Sequence, residues 1–118
     1  MLLSNAFSIN MLSDSASYMF SKVSLEDARE IVAENRWVSA VGHADTAALF
    51  SALLDQHVRC NRTTVSDPKE MLIGQYSGPR LPEGCSTLPE GATITWWYVR
   101  NVDWDKVQDY YEGRRGSF

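Results

Sequence analysis

Hydrophobic and polar positions along the chain follow two different periods. Residues 2–4 form a short apolar run that ends at a polar turn, and residues 18–23 alternate bulky and small side chains, as is typical of an edge strand. Residues 25–35 instead repeat apolar side chains at helical spacing, behind Ser24 as the predicted N-cap. The first third of the chain therefore predicts strand, strand and helix.

The next segment predicts another strand and a second helix. Residues 37–41 are apolar and end at Gly42, which favours a short strand followed by a turn. Asp45 or Thr46 is the predicted cap of a helix whose surface is largely small or apolar, so we expect this helix to be well buried.

The remaining pattern is rich in strands. Residues 58–65 and 71–76 predict two strands separated by a turn, and residues 78–84 contain two prolines that require a loop. Residues 92–102 form the strongest strand pattern, and Asp103 begins a possible terminal helix. The sequence thus predicts an α/β or α+β fold, with a mixed sheet of about five strands flanked by helices.

The chain length predicts a single domain, with residues 1–102 as its body and residues 103–118 as a C-terminal helix or tail. A net charge of −4 disfavours binding to duplex DNA, whereas a local arginine cluster can still hold a small anion. The two cysteines lack metal-site spacing, and we expect reduced thiols and no metal. Because we find no signal peptide or membrane span, we expect a cytoplasmic protein.

His43 lies between Gly42 and the predicted start of a helix, where free backbone amides attract anions. Histidine exchanges a proton readily near neutral pH, so an imidazole beside a bound phosphate suits phosphodiester cleavage. A histidine that only caps or packs is the alternative. His57, at a helix-to-strand connection, is interpreted as a surface residue.

Three further features allow more than one interpretation. Arg80 and Glu83 lie three residues apart in the proline-rich loop, where they either face one cavity and grip a phosphate or form an exposed ion pair. Arg62, inside a predicted strand, either lines a pocket or lies on a solvated face. The adjacent Trp96 and Trp97 point to opposite faces of a strand, which favours packing over a shared stacking platform.

Four segments resemble the viral ring nucleases, the type III anti-CRISPR proteins of archaeal viruses and phages. Residues 3–12 resemble the N-terminal signature of that family, and residues 41–49 resemble its Gly-His-x-x-Thr motif and following helix. Asn61-Arg62 matches an Asn-Arg pair of the family, and residues 75–84 resemble its Gln…Arg-Leu-x-Glu-Gly segment. The resemblance extends from about residue 2 to residue 99 in the same order.

The resemblance implies a two-fold homodimer that cleaves cyclic tetra-adenylate, the second messenger of type III CRISPR defence, without metal or cofactor. It implies that the adjacent ribose 2′-hydroxyl attacks the phosphate while His43 protonates the departing 5′-oxygen, which leaves a 2′,3′-cyclic phosphate. Arg80 and Glu83 would be its catalytic partners. The other implied ligand-binding residues are Asn5, Ser8, Asn10, Thr46, Arg62 and Gln75. For a viral protein, the expected location is the cytoplasm of the host cell.

Two departures from the archaeal-virus pattern concern individual ligand contacts. Ala44-Asp45 stands where those members have Asp-Ser, which places a carboxylate near the expected phosphate, and one extra residue separates Gln75 from Arg80. Two other functions stay open. One is a protein that binds and sequesters the messenger or another nucleotide without cleaving it, and the other is a small DNA-binding regulator, which the acidic charge disfavours.

Overall fold

The computed structural model describes residues 1–102, in which five strands form one mixed sheet and two helices pack against it. The elements are β1 (Leu2–Ser4), β2 (Ser17–Val23), α1 (Leu25–Glu34), β3 (Val38–Ser39), α2 (Ala44–Leu54), β4 (Glu70–Ser77) and β5 (Thr93–Val102). This arrangement confirms the predicted single α+β domain. The helix predicted from Asp103 lies outside the described residues.

β1 lies inside the sheet, whose strand order is β2-β5-β4-β1-β3. It pairs in parallel with β3 on one side and with β4 on the other, so that Leu2 is opposite both Val38 and Met71. β5 runs antiparallel to β4 and to β2, and β2 is an edge strand as its alternating pattern predicts. The strand predicted over residues 37–41 is shorter, because only Val38–Ser39 pairs with β1.

The two helices begin in different ways. Ser24 caps α1 as predicted, since its hydroxyl accepts the Asp27 N–H at 3.0 Å. The prediction that Asp45 or Thr46 caps α2 is wrong, because His43 occupies the N-cap position and its carbonyl already accepts the Ala47 N–H at 2.9 Å. Neither described helix is long and apolar enough to cross a membrane.

Residues 58–65 do not form the predicted strand, so Arg62 lies in irregular backbone rather than within a strand. The Val58 N–H donates to the Ser51 hydroxyl of α2 at 2.9 Å, and the Asn61 N–H donates to the Val41 carbonyl at 2.8 Å. This segment runs along β3, the edge strand of the sheet, and along the connection between β3 and α2. We call residues 58–65 the strap.

The core lies on both faces of the sheet. Neighbouring strand residues point to opposite faces, and in β1 both Leu2 and Leu3 are buried, so both faces are covered. α1 and α2 cover the face of Leu3, where Trp96 packs on Phe50 of α2 with ring centroids 4.9 Å apart. Trp97 belongs to the opposite face, which confirms that the two tryptophans cannot share one platform.

The packing of α2 on the sheet depends on Gly74. A Cβ at this position would lie 2.5 Å from Phe50 Cζ and 2.6 Å from Trp96 Cζ3, closer than carbon atoms approach one another in folded proteins. The missing side chain therefore lets an aromatic pair sit directly on β4.

We expect Gly74→Ala to lower the free energy of unfolding by about 1–3 kcal/mol, because the added methyl overpacks the contact between Phe50 and Trp96. Gly42→Ala is the matched control, since its Cβ would have no neighbour closer than the Arg62 atoms at 3.8 Å. Denaturant unfolding of both variants measures the effect. Equal loss of stability in the two variants would contradict the packing argument.

Candidate functional site

The carboxyl ends of three parallel strands meet at one edge of the sheet, which we call the carboxyl edge. β1, β3 and β4 all point toward it because β1 pairs in parallel with both neighbours. Asn5 follows β1, and His43 lies four residues after β3. Ser4 at the end of β1 pairs with Ile73 of β4, and Gln75 follows two residues later in that strand. Ligands of open sheets with parallel strands commonly bind at such an edge.

His43 is exposed at the N-terminus of α2, as the sequence predicts. Its side chain makes no capping hydrogen bond to the first turn of α2. Helix N-termini bind anions through backbone N–H groups and the helix dipole. Thr46 and Asp45 are half-buried in this first turn, where the Asp45 carboxylate would compete with a phosphate.

Arg62 lies beside the glycine that precedes His43. Its Cα, Cβ and Cγ atoms are each 3.8 Å from the position that a Cβ on Gly42 would occupy. The guanidinium-bearing side chain is exposed, so the strap brings a cation next to the start of α2. Sequence spacing could not predict this neighbour, because the position of the strap depends on the strand order.

Asn5 and Gln75 line one cavity of about 380 Å³ on the sheet face opposite the helices. The buried Ser4 sets the position of Asn5, because its hydroxyl donates to the Ala6 carbonyl at 2.9 Å and turns the chain at the end of β1. The rest of the cavity wall is Ala6, Phe7, Phe20, Ile73 and Trp97.

Sequence analysis missed the aromatic wall of this cavity. Phe7 packs edge-to-face on Phe20 with centroids 5.6 Å apart, and Phe20 remains 47% exposed. The alternation in β2 and β5 assigns Phe20 and Trp97 to one face only once the register of the two strands is known. Large aromatic rings beside two amide side chains can contact both the faces and the polar edges of a nucleobase.

Ser8 and Asn10 lie in a short segment that crosses the same face. The Ser8 hydroxyl accepts the Asn10 N–H at 3.2 Å and so caps the 3₁₀ turn Ile9–Met11. Asp67 fastens the far end of this segment, because its carboxylate accepts from the Ser13 N–H at 3.1 Å and from the Ser13 hydroxyl. The Asn10 side chain is exposed, whereas the Ser8 oxygen already has a local partner.

Arg80 and Glu83 are exposed in the irregular loop that leaves β4 at the carboxyl edge. The Tyr76 hydroxyl donates to the Pro79 carbonyl and ties the start of this loop to β4. Cys85 in the same loop and Cys60 in the strap are free thiols. The fold thus brings Asn5 close to Gln75, and it brings Arg62 close to the start of α2. Arg80 and Glu83 lie at the same carboxyl edge but are not brought together with these residues.

Two titratable groups have shifted pKa values. The hydroxyl and backbone N–H of Ser13 lower the pKa of Asp67 below its ordinary value of 3.8. Burial and the hydrogen bond to Glu70 raise the pKa of Tyr98 in β5. This pair lies near the start of β4, at the opposite end of that strand from the carboxyl edge. Within residues 1–102, no three side chains of His, Cys, Asp or Glu are grouped so that they could share a metal ion.

Comparisons with known proteins identify viral relatives. Residues 1–95 match the model of the STIV B116-like family. B116 of Sulfolobus turreted icosahedral virus is 28% identical, and its solved structure matches with a TM-score of 0.70 over 84% of this chain and 97% of that one. Uncharacterized protein 26 of Sulfolobus islandicus filamentous virus (isolate Iceland/Hveragerdi) is 31% identical over 64 residues. The chain spans about half the length of this curated relative, since the match covers 54% of it.

We expect acid to weaken the attachment of the segment that carries Ser8 and Asn10. Hydrogen bonding to Ser13 lowers the pKa of Asp67 in the folded protein. The ionised carboxylate therefore contributes fully to stability above pH 3.8, its ordinary pKa, and this contribution disappears as the pH falls below that value. Asp67→Asn is the control, since asparagine tolerates the positive φ of 51° at this position and does not titrate.

The measurement is hydrogen exchange of the Ser13 N–H from neutral pH to below the ordinary pKa of 3.8, with unfolding followed in parallel. The wild-type protein should lose protection and stability more steeply than Asp67→Asn. Parallel pH curves for the two proteins would show that the Asp67 carboxylate does not hold this segment.

Proposed function

The chain belongs to the STIV B116-like family, and from its likeness to the viral ring nucleases and the geometry of its carboxyl edge we propose that it cleaves cyclic tetra-adenylate. The reaction is a metal-independent opening of the ring that ends type III CRISPR signalling. The observation that carries this proposal is that β1, β3 and β4 end at one edge of the sheet, where Asn5 and Gln75 line one cavity and His43 begins α2 four residues after β3.

The chemistry assigned to the site needs a nucleophile, a proton donor and charge stabilisation. The ribose 2′-hydroxyl of the substrate attacks the adjacent phosphorus and loses its proton to solvent, the bond to the 5′-oxygen breaks, and the His43 imidazolium gives its proton to that oxygen. A linear product with a 2′,3′-cyclic phosphate results. His43 suits this role because it is exposed and makes no capping hydrogen bond with its own helix.

Charge stabilisation is assigned to groups around His43. The first-turn amides of α2 and the guanidinium of Arg62 can hold the phosphate as negative charge develops on its oxygens. Arg80 and Glu83, in the loop after β4, are assigned to the same phosphate. Asn5 and Gln75 contact the nucleoside, with Ser8, Asn10 and Thr46 as further polar contacts.

A two-fold homodimer fits this substrate. A ring of four identical nucleotides is itself symmetric, so two copies of the carboxyl edge related by a two-fold axis present the same groups to opposite sides of the ring. Each protomer then contributes one His43. The sheet face without helices, where Phe20 is partly exposed, offers apolar surface for such a pairing.

We expect His43→Ala to lower the rate of cyclic tetra-adenylate cleavage by about 10²–10⁴-fold, the usual contribution of a general acid, while binding is largely kept. His57→Ala is the matched control. His57 is also exposed and lies beyond Asp55, the C-cap of the same helix, so it is at the opposite end of α2 from His43.

The assay incubates each protein with cyclic tetra-adenylate or cyclic hexa-adenylate in EDTA and separates the products by chromatography. Wild type and His57→Ala should both yield linear product with a 2′,3′-cyclic phosphate. Cleavage by His43→Ala at the wild-type rate would rule out the assigned mechanism. Tight binding with the ring recovered intact from wild type would instead identify a sequestering protein.

A further inference from the structure

We propose that Ser39 and Asn61 are positioning residues that hold Arg62 beside His43, an inference that rests on the proposed function. Neither side chain reaches the phosphate in this assignment. They act by fastening the strap to the connection between β3 and α2. Their removal should therefore affect the chemical step more than the binding of substrate.

Ser39 is buried at the end of β3, with only 6% of its surface exposed, and it joins two backbone segments, residues 39–41 and the strap. Its hydroxyl donates to the Arg59 carbonyl at 2.6 Å and accepts the Val41 N–H at 3.2 Å. One hydroxyl thus fixes both the path that leads to His43 and the path that leads to Arg62.

Asn61 completes this attachment from the strap. Its Nδ2 donates to the Ser39 carbonyl at 2.7 Å, and its backbone N–H donates to the Val41 carbonyl at 2.8 Å. Together with the bonds of the Ser39 hydroxyl they form a clamp, in which three hydrogen bonds join residues 39–41 to residues 59–61 and a fourth, from the Val41 N–H to the Ser39 hydroxyl, lies within residues 39–41. Arg62 is the next residue of the strap, and Gly42 is the next residue of the connection.

The clamp matters because the strap has no place in the sheet. A strand residue is fixed by hydrogen bonds to its neighbours, whereas residues 58–65 lie in irregular backbone. Arg62 and Gly42, whose proximity is shown by the 3.8 Å from Arg62 Cα to the place that a Cβ on Gly42 would occupy, immediately follow the clamp on the two segments. Without the clamp, the distance between the guanidinium and the imidazole would not be defined. A displacement of about 1 Å can cost about 10²-fold in rate.

The strap also has a second attachment, which supplies a matched control. The Ser51 hydroxyl of α2 accepts the Val58 N–H at 2.9 Å and donates to the Ala47 carbonyl at 2.8 Å. Ser51→Ala therefore removes a hydroxyl that binds the same strap, four residues before Arg62 and away from His43. It should lower stability in the same way as Ser39→Ala but leave the distance between Arg62 and His43 intact.

The experiment compares kcat and KM for cyclic tetra-adenylate in wild type, Ser39→Ala, Asn61→Ala and Ser51→Ala, together with Tm. We expect kcat to fall about 10-fold or more in Ser39→Ala and Asn61→Ala, with KM changed less than about 3-fold. Ser51→Ala should change kcat less than about 2-fold at a comparable loss of Tm. Ser39→Thr keeps the hydroxyl and should restore kcat.

A measurement without substrate separates this inference from the proposed function. Hydrogen exchange of the Asn61 N–H, which donates to Val41, should accelerate in Ser39→Ala but not in Ser51→Ala. If wild type cleaves no cyclic tetra-adenylate, the proposed function fails, and unchanged exchange in Ser39→Ala would also overturn the clamp. If wild type cleaves the ring, equal kcat values in Ser39→Ala, Asn61→Ala and Ser51→Ala would overturn the positioning role alone. If Ser39→Ala fails to fold, kcat of Asn61→Ala provides the test, because Asn61 is only half-buried and its removal disturbs the core less.

Discussion

The parallel pairing of β1 with both β3 and β4 is the constraint on which the rest of the structure depends. Three buried residues, Leu2, Leu3 and Ser4, place this short strand between its neighbours and fill both faces of the sheet. Parallel strands put their carboxyl ends at the same edge. Segments that are far apart in the sequence therefore deliver their polar residues to one place.

The irregular segments around the sheet refine that placement. A turn stabilised by Ser4 directs Asn5 toward the cavity, and the clamp of Ser39 and Asn61 directs the strap toward the start of α2. Both devices use buried or half-buried polar groups whose hydrogen bonds are satisfied. In a low-dielectric setting such groups restrict the backbone to one arrangement, since an unpaired alternative is costly.

Local signals in the sequence were sufficient to predict most helices and strands, but not which segments lie next to one another in the fold. Ser24 and the periodicity of α1 predict that helix, and the alternation of β2 and β5 predicts those strands and the opposite directions of Trp96 and Trp97. The strap carries β-branched residues that match a strand pattern, yet it is held beside the edge strand β3 by the side chains of Ser39 and Asn61 rather than by a strand ladder.

In the candidate site, too, some features were predictable from the local sequence and others were not. The sequence identified His43 at a helix start, but the position of Arg62 beside Gly42 and the wall formed by Phe7 and Phe20 depend on the tertiary structure. The strand order also has a kinetic consequence. Ser77 pairs with Thr93, whereas Leu2 must find Met71 much farther along the chain, so the β4–β5 hairpin can close early and β1 enters the sheet late. A partly folded chain consequently lacks the carboxyl edge altogether.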